Sequence, residues 1–148
     1  VSTTAGIDDP IELAGRRDAD EALARELEHD GVEAFLDRWL ALPLFARLHP
    51  SAAGTDDRRR NSVAGLAASL RRCGTGTMDP PLWERLGEVT APTLVVAGAE
   101  DAKFHALGER LASGISGAEL VVVPAAGHVV HLERPVEFTE ALDVFLSA

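Results

Sequence analysis

The chain has 148 residues, 46% of them hydrophobic, which is the length of one domain and enough apolar surface for a buried core. Its formal net charge of −10 argues against nucleic-acid binding, because a phosphate backbone requires a basic surface. The single cysteine, Cys73, excludes an internal disulfide and fits a reducing cytosol. No apolar run approaches the roughly 18 residues of a membrane span, so we predict a cytoplasmic protein without membrane or nucleic-acid partners.

The first part of the chain predicts helices. Residues 1–10 are mostly small and polar, and we interpret them as the end of a sheet strand followed by a loop. Apolar residues at helical spacing predict helices at residues 11–29, 32–42 and 57–72. Asp30-Gly31 is expected to separate the first two of these helices. A further brief helix is expected before residue 88. Because residues 11–88 contain no strand-like run, we predict that they form a helical lid region.

The last part of the chain alternates strands and helices. Thr93–Gly98 and Glu119–Pro124 form two apolar runs, as expected for strands whose two faces are both covered in a parallel sheet. A helical pattern lies between them, and an amphipathic helix follows at residues 136–146. We therefore predict an α/β fold in which residues 89–148 form a βαβα unit with an incomplete parallel sheet.

An acid and a histidine follow the two predicted strands. Taken singly, Asp101 is typical of a helix N-cap and His128 of a surface or core histidine. Their separation of 27 residues is about what one helix and one strand need, so a right-handed crossover brings both turns to one edge of the sheet. There the carboxylate can accept a hydrogen bond from the imidazole and fix its tautomer. The pair is predicted to be catalytic.

Other polar residues have simpler interpretations. His131 lies three residues beyond His128, but no carboxylate or thiol cluster completes a metal site. We predict no metal and no cofactor, and we interpret His131 as a helix-entry or pocket-lining residue. Arg16, Trp39 and Arg58 are the candidates for ligand contact in the helices. The competing interpretation is that the arginines are solvated and the tryptophan is packed in a core.

Four stretches together resemble one family. Residues 98–104 match Gly-x-x-Asp-x-Lys-Phe, residues 124–135 match Pro-x-Ala-Gly-His-x-x-His-x-Glu-x-Pro, residues 39–45 match Trp-x-x-x-Pro-x-Phe, and residues 58–70 match an Arg-x-x-Asn segment with its helix. In this combination the chain is similar to the MenH family, the 2-succinyl-6-hydroxy-2,4-cyclohexadiene-1-carboxylate synthases of menaquinone biosynthesis. The resemblance covers essentially all 148 residues and implies the C-terminal part of an α/β-hydrolase fold.

The resemblance implies a reaction. In that family a serine, held by an aspartate and a histidine, removes a proton from a cyclohexene substrate, and pyruvate leaves from its enolpyruvyl ether. Asp101 and His128 match the triad partners. The resemblance thus implies an enzyme of the carbon–oxygen lyase class with the α/β-hydrolase fold.

The resemblance also implies substrate contacts. Arg16 and Arg58 match arginines that bind the carboxylates of a small-molecule substrate, a task for which the bidentate guanidinium is suited. Arg59 or Arg60 remains an alternative to Arg58. Trp39 matches a tryptophan that lines the pocket, and Phe104 would form a wall beside the triad.

The nucleophile is the main departure from the family. No Gly-x-Ser-x-Gly occurs in the sequence, and two strands are too few for the sheet that the helices should cover. We expect the chain to be part of a longer protein, active only with the N-terminal half of the fold. Two alternatives stay open: another α/β-hydrolase that cleaves an ester or a C–C bond, and a truncated remnant without catalytic activity.

Overall fold

The computed structural model describes residues 1–147, which separate into two units. The helical unit comprises residues 5–42 and 54–82. The sheet unit comprises residues 1–4, residues 43–53 and the described residues from 83 onwards. Each unit has an apolar core of its own.

One long helix, α1, spans Pro10–Leu40 in the helical unit. The Asp9 carboxylate caps its start by accepting hydrogen bonds from two N–H groups of the first turn at 2.8 and 2.9 Å. Gly31 has φ 82° and ψ 175°, a conformation open to glycine but strained for other residues. It divides α1 into two helical segments, and the break predicted at Asp30-Gly31 is confirmed.

The helix predicted over residues 57–72 is two helices in the structure. α2 spans Thr55–Arg59 and α3 spans Val63–Cys73, and a short 3-10 helix follows α3. Between α2 and α3 the Ser62 hydroxyl accepts a hydrogen bond from the Gly65 N–H at 3.0 Å. The prediction of one helix was wrong because this cap starts a new helix at a point where the apolar spacing is uninterrupted.

Apolar side chains of α1 and α3 form the core of the helical unit. Its buried residues are Ala24, Leu27, Phe35, Leu36 and Ala67. Full burial of a leucine or phenylalanine side chain stabilises a fold by roughly 1.5–3 kcal/mol. The two helices are therefore held together mainly along this apolar face.

An ion-pair network joins the same two helices at the surface. Arg71 on α3 donates hydrogen bonds to the carboxylates of Glu21 and Glu28 on α1 at 2.5–3.3 Å. Hydrogen bonds from Arg71 and then Arg25 lower the pKa of Glu21 to about 2. The hydrogen bond from Arg71 also lowers the pKa of Glu28. The network stabilises the charged forms of both carboxyl groups.

Two parallel strands form the sheet of the second unit. β1 spans Leu94–Gly98 and β2 spans Glu119–Val123, paired without offset from end to end. The connection between them is α4, Ala102–Gly114. The remaining helices are α5 (Val130–Glu133), α6 (Pro135–Ser147) and 3-10 helices at Pro43–Phe45, Pro50–Ala52 and Trp83–Glu88. The predicted α/β architecture with an incomplete parallel sheet is confirmed.

The core of the sheet unit lies around the carboxyl ends of the strands. Val96, Val123, Ala126 and Val130 are buried together there. Two of them lie in the strands, and the other two flank the turn that follows β2. The core thus anchors the segment that carries His128.

The unit boundaries differ from the predicted continuous helical region at 11–88. Residues 43–53 and 83–88 belong to the sheet unit. In that unit the Arg110 guanidinium of α4 lies 3.7 Å from the centre of the Trp83 ring, a favourable cation–π contact. Such contacts join residues far apart in the chain, so helical periodicity alone could not reveal them.

Residues 1–10, predicted to be the end of a sheet strand and a loop, begin beside β1. No strand is assigned within residues 1–9, and the Ser2 N–H donates a hydrogen bond to the Val96 carbonyl of β1 at 3.0 Å. A strand requires a repeated ladder of such bonds.

No helix within residues 1–147 is both long and apolar enough to cross a membrane. The longest, α1, has 31 residues but carries charged side chains along its length.

Candidate functional site

Main-chain hydrogen bonds join the turns that follow β1 and β2. The Ala99 N–H donates to the Val123 carbonyl at 3.0 Å, and the Glu100 N–H donates to the Ala126 carbonyl at 2.9 Å. These bonds continue the parallel pairing beyond the strand ends. The acid and the histidine are therefore carried by two turns at a fixed separation.

Gly98, the last residue of β1, has no room for a side chain. A Cβ atom there would collide with the carbonyl oxygens of Ala126 and Gly127. The turn after β2 approaches the end of β1 so closely that only glycine fits.

The Asp101 carboxylate has two partners. Oδ2 accepts a hydrogen bond from Nδ1 of His128 at 2.8 Å, and Oδ1 accepts one from the Phe104 N–H at 3.2 Å, which caps α4. The N-cap and the histidine contact, which were alternatives from the sequence, are thus both present. One oxygen fixes the start of the helix while the other fixes the imidazole.

This contact assigns the protons on the His128 ring. An ionised carboxylate accepts hydrogen bonds and cannot donate them, so Nδ1 carries the proton and Nε2 is the basic nitrogen. The side chains of Asp101 and His128 are 9% and 20% exposed, and partial exclusion of water strengthens their hydrogen bond. The arrangement can accept a proton at Nε2 and stabilise the resulting imidazolium.

Two phenylalanine rings contact the imidazole edge to face. The centroid of Phe104 lies 4.5 Å from that of His128, with the ring planes at 60°, and the centroid of Phe45 lies 6.5 Å away, with the planes at 77°. Such geometry is favourable for aromatic pairs. Phe104 was expected beside Asp101 and His128. Phe45 was missed because its position in the sequence gives no sign that its ring contacts the histidine.

A cavity of about 200 Å³ lies within the helical unit. Its lining residues are Phe35, Leu36, Trp39, Arg58, Asn61, Leu66, Ser69 and Leu70. Two of the candidate ligand residues, Trp39 and Arg58, therefore line the same cavity. The Trp39 ring also stacks on Phe35 at 5.6 Å, so it contributes to packing as well. A mostly apolar wall with one guanidinium suits an apolar ring that carries a carboxylate.

The structure distinguishes the three consecutive arginines. Arg58 lines the cavity. Arg59 and Arg60 pair with carboxylates at the surface of the helical unit, at 2.8 and 3.2 Å. Among these three arginines, the lining of this cavity includes Arg58, and its contact with a ligand stays a prediction.

Arg16 forms an ion pair on α1. Its Nε donates to Oδ2 of Asp20 at 2.9 Å. Asp20 is 4% exposed, whereas the Arg16 side chain is 43% exposed. This pair engages Nε and leaves both Nη groups outside it, so that the guanidinium can still bind a second carboxylate. Asp20 was missed in the sequence, although its (i, i+4) spacing from Arg16 is a signal of such a pair.

His131 packs against an aromatic ring of α6. Its ring centroid lies 5.9 Å from that of Phe138. Within residues 1–147 no group of three or more histidine, cysteine, aspartate or glutamate side chains is arranged to hold a metal ion.

The parallel strands, the connecting helix and the aspartate–histidine contact together define a protein of the α/β class. An imidazole oriented by a carboxylate beyond the carboxyl ends of the strands is a common arrangement in enzymes of that class. The chain belongs to the α/β hydrolase family, whose model matches residues 3–141.

Several related proteins carry the MenH name, and the resemblance predicted from the motifs is confirmed. A protein of Bacillus subtilis (strain 168), described provisionally as 2-succinyl-6-hydroxy-2,4-cyclohexadiene-1-carboxylate synthase, is 36% identical over 99% of this chain and 55% of its own length. The synthase of that name from Serratia proteamaculans (strain 568) is 33% identical over 95% of this chain and 54% of its own length. The chain thus spans about half the length of these relatives.

The solved structures agree with this relationship. MenH from S. aureus superposes with a TM-score of 0.93 and 35% identity, over 99% of this chain and 56% of that one. The enol-lactonase from Burkholderia xenovorans LB400 superposes with a TM-score of 0.71 and 25% identity, over 99% and 54% of the two chains.

Proposed function

We propose that this chain is the lid and triad-partner part of a MenH-like lyase. The reaction is elimination of pyruvate from a 2-succinyl-5-enolpyruvyl-6-hydroxycyclohexene carboxylate in menaquinone biosynthesis. The observation that carries the proposal is the 2.8 Å contact between His128 Nδ1 and Asp101 Oδ2, in a chain 35–36% identical to proteins with the MenH name. The proposal requires a serine base in an N-terminal half of the fold, because these 148 residues contain no Gly-x-Ser-x-Gly.

The reaction needs a group that accepts a proton in one step and donates it in another. His128 Nε2 accepts the proton of the serine hydroxyl, and Asp101 stabilises the imidazolium that forms. The serine oxygen removes a proton from the substrate ring, the C–H electrons form a C=C bond, and the C–O bond to the enolpyruvyl group breaks. Pyruvate leaves as its enolate, which takes the proton from His128 Nε2, so that the serine and the histidine return to their starting protonation states. Phe45 and Phe104 shield the imidazole from water during these transfers.

In this proposal the helical unit provides substrate recognition. Arg58 pairs with a substrate carboxylate, and Trp39 provides an apolar wall for the ring; both line the cavity of about 200 Å³. Arg16 binds a second carboxylate through its Nη groups while Asp20 holds its Nε. A substrate with several carboxylates accounts for the use of arginine at these positions.

The test is pyruvate release by the full-length protein that carries this chain, followed with a coupled lactate dehydrogenase assay. We expect His128→Ala to lower kcat/KM by about 10⁴-fold, as loss of a triad member does in other enzymes. The control is His131→Ala, because His131 contacts Phe138 instead of Asp101; it should stay within a few-fold of the wild type. Near-wild-type turnover of His128→Ala would remove the catalytic role of the pair.

A second candidate is an ester or C–C bond hydrolase of the same fold. The similarity to an enol-lactonase, at 25% identity and a TM-score of 0.71, favours retaining it, since an aspartate–histidine pair serves hydrolysis equally well. The test is to assay the same full-length protein for hydrolysis of simple esters that lack carboxylates. Ester turnover without pyruvate release supports the hydrolase, and no turnover of either substrate supports a non-catalytic remnant.

A further inference from the structure

One carboxylate spans the turn that carries His128. Glu133 Oε2 accepts a hydrogen bond from the Gly127 N–H at 2.5 Å, and Oε1 accepts one from the Val129 N–H at 3.0 Å. The two N–H groups belong to the residues on either side of the histidine. Both oxygens of the carboxylate are thus used on the main chain of this one turn.

The residue that provides this carboxylate is itself fixed to the turn. Glu133 is the last residue of α5, and its own N–H donates to the Val129 carbonyl at 3.0 Å. Val129 is therefore bound to Glu133 through both its carbonyl and its N–H. Gly127 and Val129 are buried, so their N–H groups depend on a protein acceptor.

The opposite side of the turn is held by the turn of Asp101. The Glu100 N–H donates to the Ala126 carbonyl at 2.9 Å, one residue before Gly127. A Cβ atom at Gly127 would lie 3.1–3.2 Å from the Glu133 oxygens, closer than ordinary packing allows. The histidine is thus carried on a main-chain segment that is fixed on one side by the aspartate turn and on the other by Glu133.

We propose that Glu133 is a positioning residue for His128. By accepting from both flanking N–H groups, its carboxylate sets the orientation of the peptide groups around the histidine and so maintains the contact between Nδ1 and the Asp101 carboxylate. The kinetic consequence of this role rests on the proposed function. The structural consequence, the state of the Nδ1–H hydrogen bond, does not depend on which reaction the protein catalyses.

Two acceptors and no donor are what this turn requires. A carboxylate meets that need, whereas the amide of glutamine has one acceptor oxygen and an NH2 group that only donates. In Glu133→Gln one of the two N–H groups therefore faces another donor. The substitution preserves size and shape, so it tests the paired acceptors and leaves packing nearly unchanged.

The first measurement is proton NMR of the full-length protein, in which the hydrogen-bonded Nδ1–H of His128 is identified by its absence in His128→Ala. We expect this resonance to be lost or displaced in Glu133→Gln. The matched control is Glu137→Gln, which removes one carboxylate nearby on α6 from an exposed residue whose charge pairs with Arg134 at 4.0 Å. The control should retain the wild-type resonance.

The second measurement is the steady-state rate of pyruvate release by the same two variants. A misplaced general base lowers kcat by about 10- to 100-fold, and KM should change less than about two-fold because the Glu133 carboxylate is bonded to the main chain of the His128 turn. An equal loss of kcat in Glu137→Gln would show that the effect comes from removing a negative charge and not from losing the paired acceptors. A Glu133→Gln variant with the wild-type resonance and wild-type kcat overturns the proposal.

A third measurement needs no variant. Hydrogen exchange of the Gly127 and Val129 amides in the wild-type protein should be slow, because both are bonded to Glu133. Rapid exchange at both amides contradicts the proposal even if Glu133→Gln fails to fold. If the wild type releases no pyruvate, the NMR and exchange results still decide the role of Glu133, while the proposed function fails separately.

Discussion

The sheet unit and the helical unit hold their candidate functional residues in different ways. In the sheet unit, Asp101 and His128 lie in turns joined by main-chain hydrogen bonds and anchored by a buried core. In the helical unit, Trp39 and Arg58 line a cavity between helix faces. Main-chain bonds leave a turn little freedom, whereas long side chains such as arginine retain rotamers that a ligand must order.

This difference suggests a division of tasks in the proposed enzyme. Proton transfer requires a donor–acceptor distance within hydrogen-bond reach, so the proton-transfer groups are carried by a segment that cannot move far. Recognition of a carboxylate tolerates adjustment, because a guanidinium can reorient to meet it. We therefore expect a substitution in a core to lower the stability of its own unit, and a substitution at a recognition residue to change KM more than kcat.

The largest expected effect is on the stability of the helical unit. Leu27 is completely buried in its core, and Leu27→Ala should lower the free energy of unfolding by about 2–5 kcal/mol through lost contacts and a residual cavity. Hydrogen-exchange mass spectrometry should show faster exchange in α1 and α3. The control is Ile11→Ala, at a side chain that is 83% exposed, where the change should be within about 0.5 kcal/mol. Equal acceleration in β1 and β2 would show that the loss of stability is not confined to the core of the helical unit.

A smaller effect is expected where the two turns of the sheet unit meet. Gly98→Ala places a Cβ against the carbonyls of Ala126 and Gly127 and should destabilise the protein by about 1–3 kcal/mol, as overpacking does. In NMR spectra of Gly98→Ala, the chemical shifts of His128 should differ from those of the wild type. Gly87→Ala is the matched control, because nothing lies within 4 Å of a Cβ at that position. If both variants unfold at the same urea concentration, the close approach at Gly98 has no energetic consequence.

The third prediction concerns substrate recognition in the helical unit. Arg58→Ala should raise KM for the carboxylated substrate by about 10- to 100-fold, since a charge-assisted hydrogen bond contributes roughly 1.5–3 kcal/mol. The value of kcat should change much less, because the proposed proton-transfer groups, Asp101 and His128, lie in the sheet unit. Arg60→Ala, which removes a surface arginine paired with Asp57, should leave KM unchanged. Steady-state kinetics on both variants distinguishes a cavity arginine from a general charge effect.

The smallest effect is the pH dependence of the surface network. The pKa of Glu21 is about 2 in the folded protein against an ordinary 4.5, so its ion pair with Arg71 stabilises the fold fully above pH 4.5. That stabilisation is lost as the pH falls from about 4.5 to about 2.

Thermal denaturation at low salt measures this effect. The Tm of Glu21→Gln should fall below that of the wild type by a small amount at pH 7, because exposed ion pairs are screened by water, and the difference should shrink at pH 3. Glu140→Gln on α6 serves as the control for removal of an exposed carboxylate. A difference that is constant between pH 7 and pH 3 would exclude the network as its cause.

Much of the fold could be predicted from the sequence because its signals are local. Apolar runs marked β1 and β2, the Asp30-Gly31 pair marked the break in α1, and the turn residues after each strand placed Asp101 and His128 at one sheet edge. The predictions that differed from the structure also relied on local sequence signals. The apolar spacing continues through Ser62, so the cap that separates α2 from α3 was overlooked, and the short helical turns at residues 43–53 were grouped with their sequence neighbours.

What the sequence by itself determined is the identity and chain order of the groups: an acid and a histidine one crossover apart, arginines on helices, and the motifs that mark the family. Only the tertiary structure decided which of them meet. Phe45 against the His128 ring, Arg58 rather than its neighbours in the cavity, and Glu133 across the turn of His128 all depend on three-dimensional packing. Periodicity reports which face a residue occupies, but the partner of that face is set by how distant segments pack.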